Sequence, residues 1–192
     1  MSNEKLNKYN EKRKFSSTPE PKGNSSKNSD KPIFVIQKHN ASNLHYDFRI
    51  EIDGVLKSWA IPKGPSTDPR KRRLAMPTED HPMKYADFEG VIPKGNYGAG
   101  EVIVWDNGTY ENLKENNSPT VEESLKEGHL TIWLNGKKLK GGYALIRTSK
   151  GKDERWILVK MKDDEADARR NPTSTENNSV LSGKTIEEVK DE

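Results

Sequence analysis

Two of the chain's four histidines, His39 and His45, stand close to Asp47 in the stretch QKHNASNLHYDFRIEIDG, residues 37–54. From His45 onward the residues alternate. His45, Asp47, Arg49, Glu51 and Asp53 form one set, and Tyr46, Phe48, Ile50 and Ile52 form the other. A period of two is that of a β-strand with one polar and one apolar face. Side chains two apart on such a strand leave the same face with Cα atoms about 6.5 Å apart, a spacing that suits two ligands of one ion. The polar turn NASN lets His39 fold back beside them. Two imidazoles and a carboxylate favour a borderline cation such as Mn²⁺, Fe²⁺ or Zn²⁺ over Mg²⁺ or Ca²⁺, which prefer all-oxygen sites. The alternative is a His–Asp hydrogen bond at a barrel mouth, and spacing leaves both readings open.

Arg49 shares the face of these presumed ligands. A guanidinium beside a cation is repulsive unless an anion lies between them, and phosphate is the commonest such anion. Lys63, in IPKGP, and the basic run Arg70, Lys71, Arg72 and Arg73 are further candidate phosphate binders, although such a run is commonly a solvated loop. Glu79 and His81, two apart in TEDHP, pair a general acid–base candidate with a carboxylate able to orient it. A lone His beside Pro82 would otherwise be structural. His129 reads as surface, and Trp59, Trp105, Trp133 and Trp156 fall within strand patterns that assign them to the core. The glycine-rich stretch FEGVIPKGNYGAGEVIVWDNG reads as a tight corner that needs glycine rather than as a ligand loop.

The elements that must position these residues are mostly strands. IFVIQ, the alternating 44–52, VLKSWAI, RLAMPTE, GEVIVWD, TYEN, HLTIWLN, KKLKGGYALIR and RWILVKM carry strand patterns. Asp53-Gly54, Asn107-Gly108 and Asn135-Gly136 are hairpin signals. TVEESLKEG is the convincing helix, with Thr120 and Glu123 spaced as a capping box and Gly128 as its stop. The pattern predicts a mostly-β fold, a small barrel or compact sandwich of about eight strands with one short helix and disordered tails.

The apolar fraction of 30% lies below the globular norm of roughly 45–50%, and the tails account for it. Residues 16–31 are Ser-, Pro-, Asn- and Lys-rich, so 1–31 is expected to be a flexible arm and linker in which Leu6, Tyr9 and Arg13 form a weak helical stripe. Residues 32–162 are the expected folded domain, and 163–192 a disordered tail. With 33 basic and 30 acidic residues the net charge is +3, so a nucleic-acid case rests on local clustering. The chain has no cysteine, which excludes disulfides and thiolate metal sites and fits a reducing interior. No apolar run reaches the ~18–20 residues of a membrane span, so an intracellular soluble protein is the simplest expectation.

FVIQKHNASNLHYDFRIEIDGVLKSWAIPKGPS, EDHPMKYADFEGVIPKGNYGAGEVIVWDNGTYE and WILVKMKDDEA resemble the 3′-phosphoesterase module of bacterial DNA ligase D and its free-standing bacterial and archaeal relatives. KRKFSSTPEP looks like the arm preceding that module. SVLSGKTIEEV looks like the segment leading toward a ligase domain, and because the chain stops there the resemblance suggests a stand-alone enzyme. The resemblance implies a β-barrel with a concave active site and Mn²⁺ as the favoured metal, with Co²⁺ or Zn²⁺ as other candidates. It also implies healing of DNA 3′ ends, by removal of a 3′-phosphate and trimming of 3′-terminal ribonucleotides. Metal ligation is implied for His39, His45 and Asp47, and phosphate contact for Arg49 and His81. Gln37, Lys63, Arg73, Glu79 and Tyr85 match supporting active-site positions, with Arg13 and Glu20 matching arm positions that assist the ribonucleotide step. Lys14 departs from the pattern, which carries Asp there in fused members. In the implied mechanism Arg49 and Lys63 neutralise transition-state charge, His81 stabilises it or protonates the leaving oxygen, and Glu79 fixes the His81 tautomer. The implied setting is the prokaryotic cytoplasm near the nucleoid. There a monomer would act on primer–template or duplex 3′ ends in non-homologous end joining, with a ligase, polymerase and end-binding protein in trans.

Two other functions fit parts of the pattern. His45-x-Asp47 with a distant His imitates the two-His-one-carboxylate triad of an iron oxygenase, with Arg49 holding a co-substrate carboxylate. A non-catalytic barrel would bind DNA ends without turnover.

Overall fold

The computed structural model describes residues 4–24 and 31–192. A 3₁₀ turn, Glu4–Leu6, leads into α1, Asn7–Glu11. The strands β1 (Ile33–Asn40), β2 (Leu44–Ile52), β3 (Val55–Ile61), β4 (Arg73–Pro82), β5 (Gly90–Ile92) and β6 (Gly100–Asn112) follow. Helix α2 (Val121–Glu127) precedes β7 (His129–Gly136), β8 (Lys140–Ser149) and β9 (Arg155–Lys160). Two short helices, α3 (Pro172–Thr175) and α4 (Ile186–Lys190), complete the chain. The order β1-β2-β3-β4-β9-β8-β7-β6 closes on itself through a β1–β6 pairing, giving an eight-stranded antiparallel barrel with β5 added outside β6.

Local signals account for several elements. Asp53 and Gly54 both take positive φ (51° and 78°), as a two-residue hairpin turn between β2 and β3 requires. Thr120 and Glu123 form the reciprocal capping box at the start of α2, and Gly128 ends it in the left-handed region. Asn107-Gly108, expected as a turn, instead lies inside the thirteen-residue β6. A Cβ on Gly108 would meet the Asn135 carbonyl oxygen at 2.0 Å, so glycine serves close strand approach there.

The two faces of the first strands are both buried, against different partners. Phe34, Ile36, Phe48, Ile50, Trp59, Trp105, Leu130, Leu145 and Trp156 join one cluster that fills the barrel. Of the four tryptophans only Trp133 stays half-exposed. On the outer wall Val35, Leu56, Val102 and Val104 pack with Tyr9 of the arm and with Tyr85, Phe88 and Ile92 of the segment after β4. The polar face of β2 therefore lies on the outer wall, roofed by the arm and this segment.

The tails differ from the expectation. Residues 16–24 lie against the barrel, with Thr18 and Glu20 buried, while residues 25–30 of the expected linker lie outside the described residues. Residues 163–192, expected to be disordered, run along the barrel. Trp105 Nε1 donates to the Glu176 carbonyl at 2.6 Å, the Val180 amide donates to the Val104 carbonyl at 2.9 Å, and Ile186 and Val189 of α4 cover Ile103. The physical reason is that this segment is held largely by main-chain hydrogen bonds, which composition does not register.

Candidate active site

Strand register assembles the centre. In the β1–β2 pair His39 stands opposite His45 and Gln37 opposite Asp47. Arg49 then faces Ser58 on β3, and Leu56 faces His81 on β4. His39 Nδ1 lies 3.5 Å and His45 Nε2 3.2 Å from Asp47 Oδ2, and one ligand atom from each of the three lies within 4.8 Å of the others. The remaining ring nitrogens are held: His39 Nε2 lies 2.6 Å from the Gly98 carbonyl oxygen and His45 Nδ1 lies 2.9 Å from that of Asn43. A nitrogen that donates to a carbonyl leaves the other unprotonated toward the centre, the arrangement metal-binding imidazoles adopt. With no ion bound, burial pushes the Asp47 carboxyl up, but the Arg49 charge and the histidine rings, when they carry a proton toward it, outweigh burial and hold the carboxyl well below its usual range. For His45, burial is outweighed by the hydrogen bond to Asp47 and its charge, which raise the ring above its usual value. An ionised carboxylate and two oriented imidazoles fit a divalent cation.

Arg49 bridges the His39–His45–Asp47 triad and the rest of the cleft. Its Nη2 lies 3.4 Å from Asp47 Oδ2, its Nη1 lies 3.3 Å from His81 Nδ1, and its Nε donates to Gln37 Oε1 at 2.7 Å. Gln37 is in turn fixed through donation to the Tyr85 and Phe88 carbonyls. His81 Nδ1 lies 2.9 Å from the Glu79 backbone carbonyl, so the backbone of Glu79, rather than its carboxylate, orients the ring. Burial and then the Arg49 and Arg13 charges hold His81 well below the usual histidine range, so the ring is neutral. The Glu79 carboxylate is occupied elsewhere, bonded to Lys12 Nζ at 3.1 Å and Arg13 Nη1 at 3.3 Å. Burial raises its pKa, but its own backbone N–H, Lys12 and Arg13 lower it further, and it is ionised.

The arm completes the wall. Arg13 Nε donates to Glu20 Oε2 at 2.8 Å, and the Tyr85 hydroxyl donates to the same oxygen at 2.7 Å. Arg13 Nη2 also approaches His81 Nε2 at 3.4 Å. Together these groups line a cleft of about 650 Å³ that contains His39, His45, Asp47, Arg49, Glu79, His81, Tyr85 and Arg13. Lys63 and Arg73 are not part of its lining. Lys63 is exposed beyond β3, and Arg73 shares the inward face of Ala75, whereas Met76 faces the cleft. His129 is exposed, as expected. Sequence reasoning missed Lys12, Tyr97 and the carbonyl of Gly98. The signal for the last two was the glycine-rich stretch read as a barrel corner. Gly98 takes φ of 74° and its absent Cβ would sit 3.4 Å from His39 Cε1, so this loop is shaped around a presumed metal ligand.

A barrel whose outer wall carries two imidazoles, a carboxylate and an arginine in one cleft offers the donor set of a cation site beside a group that binds phosphate. Residues 37–147 match the DNA Ligase D 3'-phosphoesterase domain, and the chain belongs to that family. It is 49% identical over 190 residues, 96% of its length, to the Multifunctional non-homologous end joining protein LigD of Pseudomonas aeruginosa. It is 44% identical over 160 residues to the Multifunctional non-homologous end joining DNA repair protein LigD of Mycobacterium tuberculosis and 46% over 168 residues to that of Mycolicibacterium smegmatis, 83% of this chain in each case. The chain spans about a fifth of the length of these relatives (20–22%).

Proposed function

We propose that the chain is a divalent-metal-dependent phosphoesterase that heals DNA 3′ ends, removing a 3′-phosphate to leave a 3′-OH and, more weakly, trimming a 3′-terminal ribonucleotide. The observation that carries this reading is Arg49, whose guanidinium lies within 3.4 Å of both Asp47 and His81 on one buried face. A cation held beside that guanidinium calls for a bridging anion, and a phosphate monoester supplies it. His39, His45 and Asp47 would hold the ion, with Mn²⁺ the favoured occupant. When bound, it supplies Lewis acidity toward phosphate and water. Arg49 neutralises the charge that builds on the phosphoryl oxygens. A phosphate dianion next to Arg49 and Arg13 offsets the two charges that add to burial in keeping His81 neutral, moving the ring toward imidazolium. Water adds to phosphorus, the P–O3′ bond breaks, and the 3′ oxygen leaves with a proton from His81 Nε2. Gln37, Tyr85 and Glu79 act by positioning Arg49, Glu20 and the arm. Lys63, exposed outside the cleft lining, would meet DNA beyond the scissile phosphate, whereas Arg73, on the inward face, would not reach it. The 3′ end would be presented in non-homologous end joining, with ligase, polymerase and end-binding partners supplied by the pathway.

Release of phosphate from a primer–template with a 3′-phosphate, after chelation and with Mn²⁺ restored, tests the reading. Turnover should depend on the metal, and His39→Ala, His45→Ala and Asp47→Ala should each weaken metal binding at least tenfold and abolish release. Near-wild-type Mn²⁺-dependent release by all three variants would overturn the site. Succinate formed from 2-oxoglutarate with Fe²⁺ would instead favour the oxygenase alternative.

A further inference from the structure

Tyr97 is a large aromatic side chain left 48% exposed, and it lines the same cleft as the metal triad. Its loop is tied by hydrogen bonds within itself and to the arm. The Asn96 amide donates to the Pro93 carbonyl and the Ala99 amide to the Asn96 carbonyl. Ser17 of the arm donates to Asn96 Oδ1 at 2.7 Å, and the Asn96 side chain returns a bond to the Ser17 carbonyl at 3.2 Å. The next residue, Gly98, gives its carbonyl to His39 Nε2 at 2.6 Å, so the ring is tied by one residue to the presumed metal centre. Lys12 Nζ lies 4.7 Å from the ring centroid and 3.4 Å from the hydroxyl, and the Arg13 guanidinium lies 5.5 Å from the centroid. Cations at these distances orient an aromatic ring. An exposed aromatic braced by two cations, one residue from a phosphate-handling centre, has the chemistry of a base-stacking platform.

We infer that Tyr97 is the platform on which the terminal nucleobase of the DNA 3′ end stacks while its 3′-phosphate enters the metal and Arg49 site, with Lys12 acting as a positioning residue for the ring. The inference rests on the proposed function and adds what that reading lacks, a contact that tells a nucleotide from any other phosphomonoester. Stacking is tolerant of base identity because every base presents a π-face, so the platform imposes a requirement for a base without a sequence preference. The remote contact fixes the phosphate in the cleft and so acts through substrate affinity more than through the chemical step.

The test is a cycle of two proteins and two oligonucleotides, a 3′-phosphorylated strand ending in 2-aminopurine and the same strand ending in an abasic 3′-phosphate, read by binding and by phosphate release. For wild type, loss of the terminal base should weaken binding about tenfold, within the range of one base–aromatic stack. Tyr97→Ala should bind both strands as weakly as wild type binds the abasic one, raise KM more than it lowers kcat, and fail to quench 2-aminopurine emission. Tyr97→Phe should restore quenching and affinity. Tyr97 is exposed, so these variants fold, and thermal unfolding of each confirms it. Equal binding of both strands by wild type, or unchanged quenching by Tyr97→Ala, would overturn the inference while leaving the phosphoesterase reading intact. A folded, Mn²⁺-loaded wild type that releases no phosphate from either strand would overturn that reading, and the inference with it.

Discussion

His81 lies between two guanidinium groups, Arg49 on its Nδ1 side and Arg13 on its Nε2 side, and is only 4% exposed. Its folded-state pKa is depressed below the unfolded value of about 6.5, first by burial and then by those two charges. A depressed pKa contributes stability that is complete above about pH 6.5 and is lost as pH falls toward the folded-state value. His45 is raised, so in metal-free protein its contribution is present below about pH 6.5 and lost as pH rises through its folded pKa. The two histidines thus work in opposite directions, and a variant is needed to separate them. Urea unfolding at pH 7 and pH 5 should show a smaller acid loss in His81→Gln than in wild type. An identical acid loss would exclude a buried neutral His81. Histidine NMR signals should also show the His81 pKa rising when phosphate is added, because the dianion cancels the guanidinium charges.

At the scale of elements, the arm behaves as part of the site. Tyr9 is fully buried against Val35 and Tyr85, and the side chains of Arg13 and Glu20 are 4% and 0% exposed in their ion pair. Removing one partner of a buried pair leaves an uncompensated charge, so Arg13→Ala should lower stability by about 3–5 kcal/mol in chemical denaturation. Lys14 is exposed and lies one residue beyond Arg13, where fused relatives are expected to carry Asp. On the proposed function, a 3′-phosphate dianion would need only the triad with Arg49 and His81, whereas cleavage at a terminal ribonucleotide would act on a diester and call on the arm. Matched primers ending in a 3′-phosphate or one ribonucleotide should therefore show faster phosphate removal. Lys14→Asp should raise the ribonucleotide step alone, and arm deletion should abolish it. Equal rates on both substrates in all three proteins would remove the arm from the chemistry.

Across the whole molecule, charge is nearly balanced at +3, so the DNA binding proposed above would rest on local clusters. The basic run leads into β4, with Arg73 its first residue; Met76 of β4 faces Ala60, itself opposite Asp47, so Arg70, Lys71 and Arg72 flank the His45–Asp47 end of the cleft. Arg70 is already engaged, its Nε and Nη2 each 3.1 Å from an Asp68 carboxylate oxygen, whereas Lys71 and Arg72 are exposed. Each phosphate contact contributes a slope of roughly −0.7 to −0.9 in log K against log salt. Replacing Lys71 and Arg72 by Ala should flatten the slope by about twice that amount, leaving the rate at saturating DNA unchanged, and Arg70→Ala should add little. A salt titration by fluorescence anisotropy with an unchanged slope would return the run to an ordinary solvated loop.

The alternation His45-Asp47-Arg49 against Tyr46-Phe48-Ile50, the Asp53-Gly54 turn and the Thr120–Glu123 capping box were all legible in the sequence. Each depends on spacing within a few residues, where side-chain direction and backbone φ follow from the chain itself. The triad was legible for the same reason, because His39 and His45 flank one short turn. Spacing alone predicted two faces for β2 but could not tell that the polar one would be roofed by an arm about 30 residues upstream and a segment about 40 downstream. That depends on long-range packing, as do the carbonyl of Gly98 on His39, the grip of Lys12 on Glu79, and the inward face on which Arg73 falls. The same holds for the tail. Its polar composition predicted disorder, yet main-chain donors and acceptors, which every residue carries whatever its side chain, hold it to Thr67, Val104 and Trp105. The sequence by itself determined which side chains could do chemistry and which would face together on one strand. The tertiary structure alone decided which of them are buried, how they are charged, and which backbone atoms hold them in position.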